Sequence, residues 1–220
     1  MSTVAVIDYG MGNLHSIAKA LQRVADAPDQ VIVTHEGDAI RQASHVVFPG
    51  VGAMRDCMAR LGELALIDVI REVSRQKPLL GICLGMQALL DHSEENDGID
   101  CLGIIPGTVR HFGKDLTDTA GSALKIPHMG WNQVNPVVDH PLWQGVPPGS
   151  WFYFVHSYHV CPSDKADQAA TTDYSFPFTS ALARDNLFAV QFHPEKSQSA
   201  GLRLLANFLA WDGTRNPLST

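Results

Sequence analysis

A chain of 220 residues with 45% hydrophobic and 18% charged side chains suits one well-packed α/β domain, too small for two ordinary cores and too apolar for a disordered tail. No apolar run reaches the length of a membrane-spanning helix, and a net charge of −7 without any basic run argues against a nucleic-acid surface. The four cysteines contain no C-x-x-C pair and no metal-ligand spacing, so neither a metal site nor a disulfide scaffold is expected.

The opening residues MSTVAVIDYG lack a secretory signal's basic start and cleavage site and read as a strand, which makes the cytoplasm the expected compartment. A Gly-rich bend and a helix follow, with Leu14, Ile17, Leu21 and Val24 at helical spacing. VIVT reads as a second strand and HVVFPG as a third. Two helices come next, one through Met54, Cys57 and Leu61, the other with Leu66, Ile70 and Val73 inward; PLLGI is a fourth strand. Such continuous Val/Ile/Leu strands alternating with helices predict a parallel sheet covered on both faces. After about residue 100 the runs LGII, TVRHF, WFYFVHSYHV, TSALA and LFAVQFH are closely spaced and read as antiparallel strands, with ARDN as a hairpin turn. AGLRLLANFLAW closes the pattern as a helix with Leu202, Leu205 and Leu209 inward. The expected fold is a single α/β domain over residues 1–212, with a mixed, largely parallel central sheet flanked by helices and a tail at 213–220.

The segment KPLLGICLGMQALL sets Cys83 between Gly81 and Gly85, at the turn from the fourth strand into an amphipathic stretch. Ligands of open α/β sheets bind beyond the carboxyl ends of strands. Two glycines let a nucleophile stand on a sharp corner, and the unpaired N–H groups of a helix starting near Leu84 favour a thiolate. Cys57, Cys101 and Cys161 lack that setting and read as small buried hydrophobes. A base is available in LFAVQFHPEKS. Val190 and Phe192 face the core while Gln191 and His193 point the other way. Glu195 can return to the side of His193 if the segment stays extended, which Pro194 promotes. A carboxylate there fixes the imidazole tautomer. Donors for a developing oxyanion are the N–H of Leu84 and a peptide N–H from FPGVGAM, where Gly50 and Gly52 permit the backbone to turn toward the site or away.

These residues resemble the class I glutamine amidotransferases, whose Cys-His-Glu triad matches Cys83 in GICLGMQ and His193 and Glu195 in FHPE. More narrowly, DYGMGNL, PHMGWN, FVHSYH and QFHPEKS look like the glutaminase subunits of imidazole glycerol phosphate synthases in histidine biosynthesis, a resemblance running from about Val4 to Trp211. It implies a flavodoxin-like fold, L-glutamine as substrate and no cofactor. Gln87 would help to hold the glutamine, backbone around Ser157 and Tyr158 would grip its α-amino and α-carboxylate groups, and Gly50, Val51 and Gly52 would form the oxyanion strand. Met11, Gly12, Asn13, Trp131, Tyr153 and Lys196 would lie toward a heterodimer partner. That partner is a TIM-barrel cyclase, expected as a separate chain.

Other readings are a glutaminase for another synthase, such as that for anthranilate or pyridoxal phosphate, a catalytically silent scaffold, or a nucleotide-binding module. For the last, GMGNLH after the first strand and Glu36 after the second suggest a dinucleotide fingerprint, but His15 stands where its third glycine belongs.

Overall fold

The structure, a computed structural model, describes residues 3–27, 30–118 and 120–214. Of the expected tail, 215–220 lie outside the described residues. Strands β1 (Val4–Ile7), β2 (Val31–Thr34), β3 (His45–Gly50) and β4 (Leu79–Cys83) alternate with helices α1 (Leu14–Val24), α2 (Gly37–Gln42), α3 (Met54–Glu63) and α4 (Leu66–Val73). Helix α5 (Leu84–Gln87) leaves β4 directly. Then come the short β5 (His92–Ser93) and β6 (Ile99–Asp100), followed by β7 (Gly107–His111), β8 (His128–Pro136), β9 (Ser150–His156), β10 (Tyr158–Pro162), β11 (Gln168–Tyr174), β12 (Phe176–Arg184) and β13 (Leu187–Val190), and helix α6 (Gln198–Ala210).

The main path through the sheet is β2-β1-β3-β4-β13-β12-β10-β7-β5-β6, with β11 joining β12 to β8 and β9 pairing with β8. From β2 to β13 every pairing is parallel; beyond β13 the pairings are antiparallel, except that β5 runs parallel to β7. Alternation along β1 divides the core. Val4 and Val6 join Leu21, Leu204 and Phe208 on the side covered by α1 and α6. Ala5 and Ile7 join Ile40, Leu61 and Ile70 on the side covered by α2, α3 and α4. Strands β1, β3, β4 and β13 are buried along their whole length, as parallel strands with two covered faces must be. Among the described residues no helix is long and apolar enough to cross a membrane.

Five details differ from the sequence pattern. LFAVQFH is not wholly antiparallel: its strand β13 runs antiparallel to β12 but parallel to β4. LGII is a bend and not a strand: the N–H groups of Leu102, Gly103, Ile104 and Ile105 bond to carbonyls of residues 88–90, the acceptors that a helical turn leaves open at its end. WFYFVHSYHV is broken at Ser157 into β9, which pairs with β8, and β10, which pairs with β7 and β12. The stretch after Cys83 is not amphipathic, because residues 84–90 are all buried beneath the sheet's end. In α6 the buried residues are Gly201, Leu204, Leu205 and Phe208, with Leu202 and Leu209 only partly covered. The helix is rolled toward residues 194–196. A Cβ at Gly201 would lie 1.9 Å from the Pro194 carbonyl oxygen.

Candidate active site

Cys83 ends β4 with φ 54° and ψ −110°, a left-handed conformation that costs a non-glycine residue on the order of 1–3 kcal/mol and is held only by its surroundings. The neighbouring glycines make the corner possible. A Cβ on Gly85 would sit 2.0 Å from the main-chain oxygen of Phe48, and one on Gly81 would sit 3.0 Å from Ala189 Cβ. The parallel register sets Gly50 of β3 beside Cys83. Gly50 is itself tightly enclosed, with Tyr9 Oη 2.3 Å from where its Cβ would be. That hydroxyl donates to the Pro49 carbonyl at 2.9 Å. Leu84, whose N–H follows the cysteine, is buried at the start of the single turn of α5.

On the other side of β4, Val190 of β13 lies beside Ile82, so the chain beyond β13 passes the same corner. There His193 Nδ1 and Glu195 Oε1 are 2.9 Å apart, with both side chains essentially buried. Glu195 does not arrive along an extended segment as the sequence pattern predicts. His193 is extended, but residues 194–196 form a 3₁₀ turn with Pro194 at its start, a position where the missing N–H of proline costs nothing. Lys196 N donates to His193 O at 3.0 Å, and Ser197 Oγ, which receives the N–H of Tyr153, donates to the same carbonyl at 2.6 Å. Burial alone would lower the imidazolium of His193. The Cys83 sulfur and the Glu195 carboxylate outweigh it and hold the proton well above the ordinary histidine range. Nε2 makes no hydrogen bond of ordinary geometry, while the nearby Cys83 sulfur raises the proton affinity of the ring as an acceptor and, less strongly, through its charge.

In front of the sulfur lies a cavity of about 280 Å³ lined by Val51, Gly52, Cys83, Leu84, Gln87, Glu95, Pro127, Val155, His156, Ser157 and Tyr158. Its size is at the lower end for small-ligand pockets. Gln87 donates to Tyr158 O and to Gln191 Oε1, each at 3.0 Å, and Gln191 Nε2 lies 3.7 Å from Cys83 Sγ. Glu95 Oε2 accepts from Met54 N at 2.9 Å. Gln191 and Glu95 were not among the residues singled out by sequence. Gln191 shares the strand alternation of His193, which was the available signal; Glu95 had none, since a long-range fold contact brings it there.

Trp131 and Tyr153 are cross-strand partners in β8 and β9 with their rings edge-on at 6.2 Å, and Lys196 Nζ sits 5.6 Å above the Tyr153 ring. Met11 and Gly12 pack instead against the third strand's end: a Cβ on Gly52 would touch Met11 Cε at 2.8 Å, and one on Gly12 would lie 3.8 Å from Gly50 Cα. Asn13 precedes α1, its carbonyl accepting from Ile17 N at 3.1 Å. Burial pushes the thiols of Cys57 and Cys101 up to about 12 and raises that of Cys161, the behaviour of unreactive thiols.

A thiol on a strained strand-to-helix corner, a histidine–carboxylate pair from the neighbouring strand and an amino-acid-sized cavity occur together in enzymes that act on an amide through cysteine. The family model for glutamine amidotransferase class I matches residues 5–211, and the chain belongs to that family. Within it the chain sits among the HisH subunits. It is 65% identical over 213 residues to the imidazole glycerol phosphate synthase subunit HisH of Methylococcus capsulatus, covering 96% of this chain and 98% of that one. The corresponding Pseudomonas putida subunit is 57% identical, with 97% and 99% covered. A solved glutamine amidotransferase structure shares the fold at TM-score 0.70 and 15% identity, covering 96% of this chain and 100% of that one.

Proposed function

We propose that this chain is the glutaminase subunit of an imidazole glycerol phosphate synthase, a cytoplasmic heterodimer in which it hydrolyses L-glutamine through Cys83, His193 and Glu195 and passes ammonia to a TIM-barrel cyclase. The observation that carries the reading is the left-handed Cys83 beside the buried His193–Glu195 pair, because strain of this kind persists where a group must be presented. The Cys83 thiolate attacks the side-chain amide carbon. The N–H of Leu84 and a peptide N–H of the Val51–Gly52 segment receive the oxyanion. His193 gives its proton to the amide nitrogen as the C–N bond breaks, and ammonia leaves a thioester. A water then loses a proton to His193 and attacks the thioester, releasing glutamate and restoring the thiolate. Glu195 keeps the Nδ1 proton of the ring in place throughout.

Substrate glutamine lies in the cavity with its α-ammonium group toward the Glu95 carboxylate and its polar ends near Gln87, Ser157 and Tyr158. The partner docks on the β8–β9 face, where Met129, Trp131 and Trp151 are 62%, 42% and 54% exposed, with Tyr153 and Lys196 at its edge and the Met11–Asn13 loop completing the contact. The cyclase takes the ammonia to form imidazole glycerol phosphate and aminoimidazole carboxamide ribonucleotide. Replacing Cys83 with alanine tests the assignment. Glutamate release should fall to background, with the circular dichroism and unfolding midpoint retained; substantial residual turnover rules the cysteine out.

A further inference from the structure

Gln191 is fully buried and lies two residues before His193 at the corner that holds Cys83. Its backbone N–H donates to Ser180 O at 2.9 Å, which fixes the root of the side chain. Its amide belongs to a series of hydrogen bonds whose direction follows from one end. That end is the main-chain carbonyl of Tyr158, which can only accept. His156 Nδ1 approaches it at 2.8 Å and Gln87 Nε2 at 3.0 Å. A reversed Gln87 amide would set oxygen against oxygen there, so its NH₂ group faces Tyr158. The second hydrogen of that NH₂ goes to Gln191 Oε1 at 3.0 Å. The oxygen of Gln191 is thereby committed, and its own NH₂ points at Cys83 Sγ, 3.7 Å away.

A second fixed acceptor gives the same direction. Asn132 Nδ2 donates to the main-chain oxygen of Asp173 at 2.9 Å, so the same NH₂ donates to His128 Nε2 at 3.2 Å. His128 therefore carries its proton on Nδ1 and gives it to His156 Nε2 at 3.0 Å. His156 in turn carries its proton on Nδ1, the atom facing Tyr158 O. Burial holds both rings neutral, lowering His128 to about 4 and His156 to about 3, so each has one donor and one acceptor as the series requires.

We propose that Gln191 acts on the reacting sulfur itself, as a fixed N–H donor that favours thiolate over thiol, and that Gln87 is the positioning residue holding it in that orientation. A donor gains strength when its acceptor is charged, so the contact stabilises the anion selectively. The inference rests on Cys83 being the nucleophile. The titratable groups facing the sulfur are His193, backed by Glu195, Tyr9 from the end of β1, and Glu95 and His156 across the cavity. All of them remain in the variants below.

Gln191→Met keeps the length of the side chain and removes the donor; Gln191→Glu keeps the shape and replaces the donor with an acceptor. The measurement is the rate of Cys83 alkylation by iodoacetamide against pH in the whole chain, read by peptide mass, beside kcat and KM for glutamine. The alkylation midpoint should rise by about one pH unit in Gln191→Met and further in Gln191→Glu, with kcat down roughly tenfold in Gln191→Met and KM within about twofold. A purely packing role would leave the midpoint in place, and an unshifted midpoint in a folded variant overturns the proposal. Should Gln191→Met not fold, Gln191→Glu and Gln87→Met read the same shift. The nucleophile reading fails separately, through a Cys83→Ala variant that still hydrolyses glutamine. An inactive Cys83→Ala together with an unshifted Gln191→Met removes the donor role alone.

Discussion

At Gly85 the tolerance of the corner is set by the main chain of β3. The oxygen that a Cβ would meet at 2.0 Å belongs to Phe48 in the middle of the buried β3, which cannot swing aside as a side-chain tip can. Gly85→Ala should cost about 3 kcal/mol of stability, seen as a lower urea midpoint with an unchanged slope. Gly62→Ala, with its nearest atom 4.0 Å away on Ile67 within reach of α3, serves as the comparison and should be neutral or slightly stabilising. An equal loss at both positions would contradict the steric account. The candidate residues Cys83 and His193 stand out in the sequence through local chemistry, paired glycines around a thiol and a histidine at a strand end, whereas Glu195 reaches the ring through a 3₁₀ turn and not along the extended segment that Pro194 suggests. Gln191 could have been read from the same strand alternation, but glutamine carries no reactivity that draws attention to it. Glu95 could not have been, because its approach to the cavity is made by a turn and a bond to Met54 N that no local pattern encodes.

The β8–β9 pair is an element with two different faces. His128, Val134, Phe152, Phe154 and His156 are buried, whereas Met129, Trp131, Gln133 and Trp151 point into solvent. Singly exposed apolar residues are ordinary, but a cluster of this kind on one sheet face marks a contact surface. On the proposed docking mode, Trp131→Ala should weaken binding of a cyclase partner by about 2 kcal/mol, roughly thirtyfold, while the unfolding midpoint of the free chain stays the same. Calorimetric titration against the purified cyclase measures it, and unchanged affinity would move the docking surface elsewhere. The parallel strands were readable because both of their faces are apolar. The reading of LGII as a strand failed because an apolar run does not reveal where its N–H groups go; here they close the end of the turn after Cys83. Elements without a clear signal in the sequence include the short α2, with one fully buried residue, Ile40, and the strands β8 and β11, both rich in polar residues.

For the molecule as a whole, buried histidines set the response to acid. Burial is the main cause lowering His45, His128, His156 and His159, with His128 near 4 and His156 near 3. The unfolded chain takes up protons on these rings below about pH 6.5, and the folded chain resists doing so. Stability from this source is therefore complete above pH 6.5 and falls as the pH drops toward 4, by on the order of 1 kcal/mol per pH unit for each fully titrating ring. His193 works in the opposite sense: its raised imidazolium contributes fully below about pH 6.5 and loses that contribution only as the pH climbs through its folded value. Urea midpoints at pH 7, 6 and 5 should decline progressively, and a flat series would refute the role of the neutral rings.

The alternation of strands and helices made the parallel half of the fold legible at this scale, yet it does not disclose that β13 inserts between β4 and β12. That insertion orders events during synthesis. A growing chain that has emerged only as far as β12 already carries its sulfur, but the imidazole and carboxylate that would set it to work are still to be made. On the proposed mechanism, chemical competence thus arrives only with residues 193–195, just past the thirteenth strand.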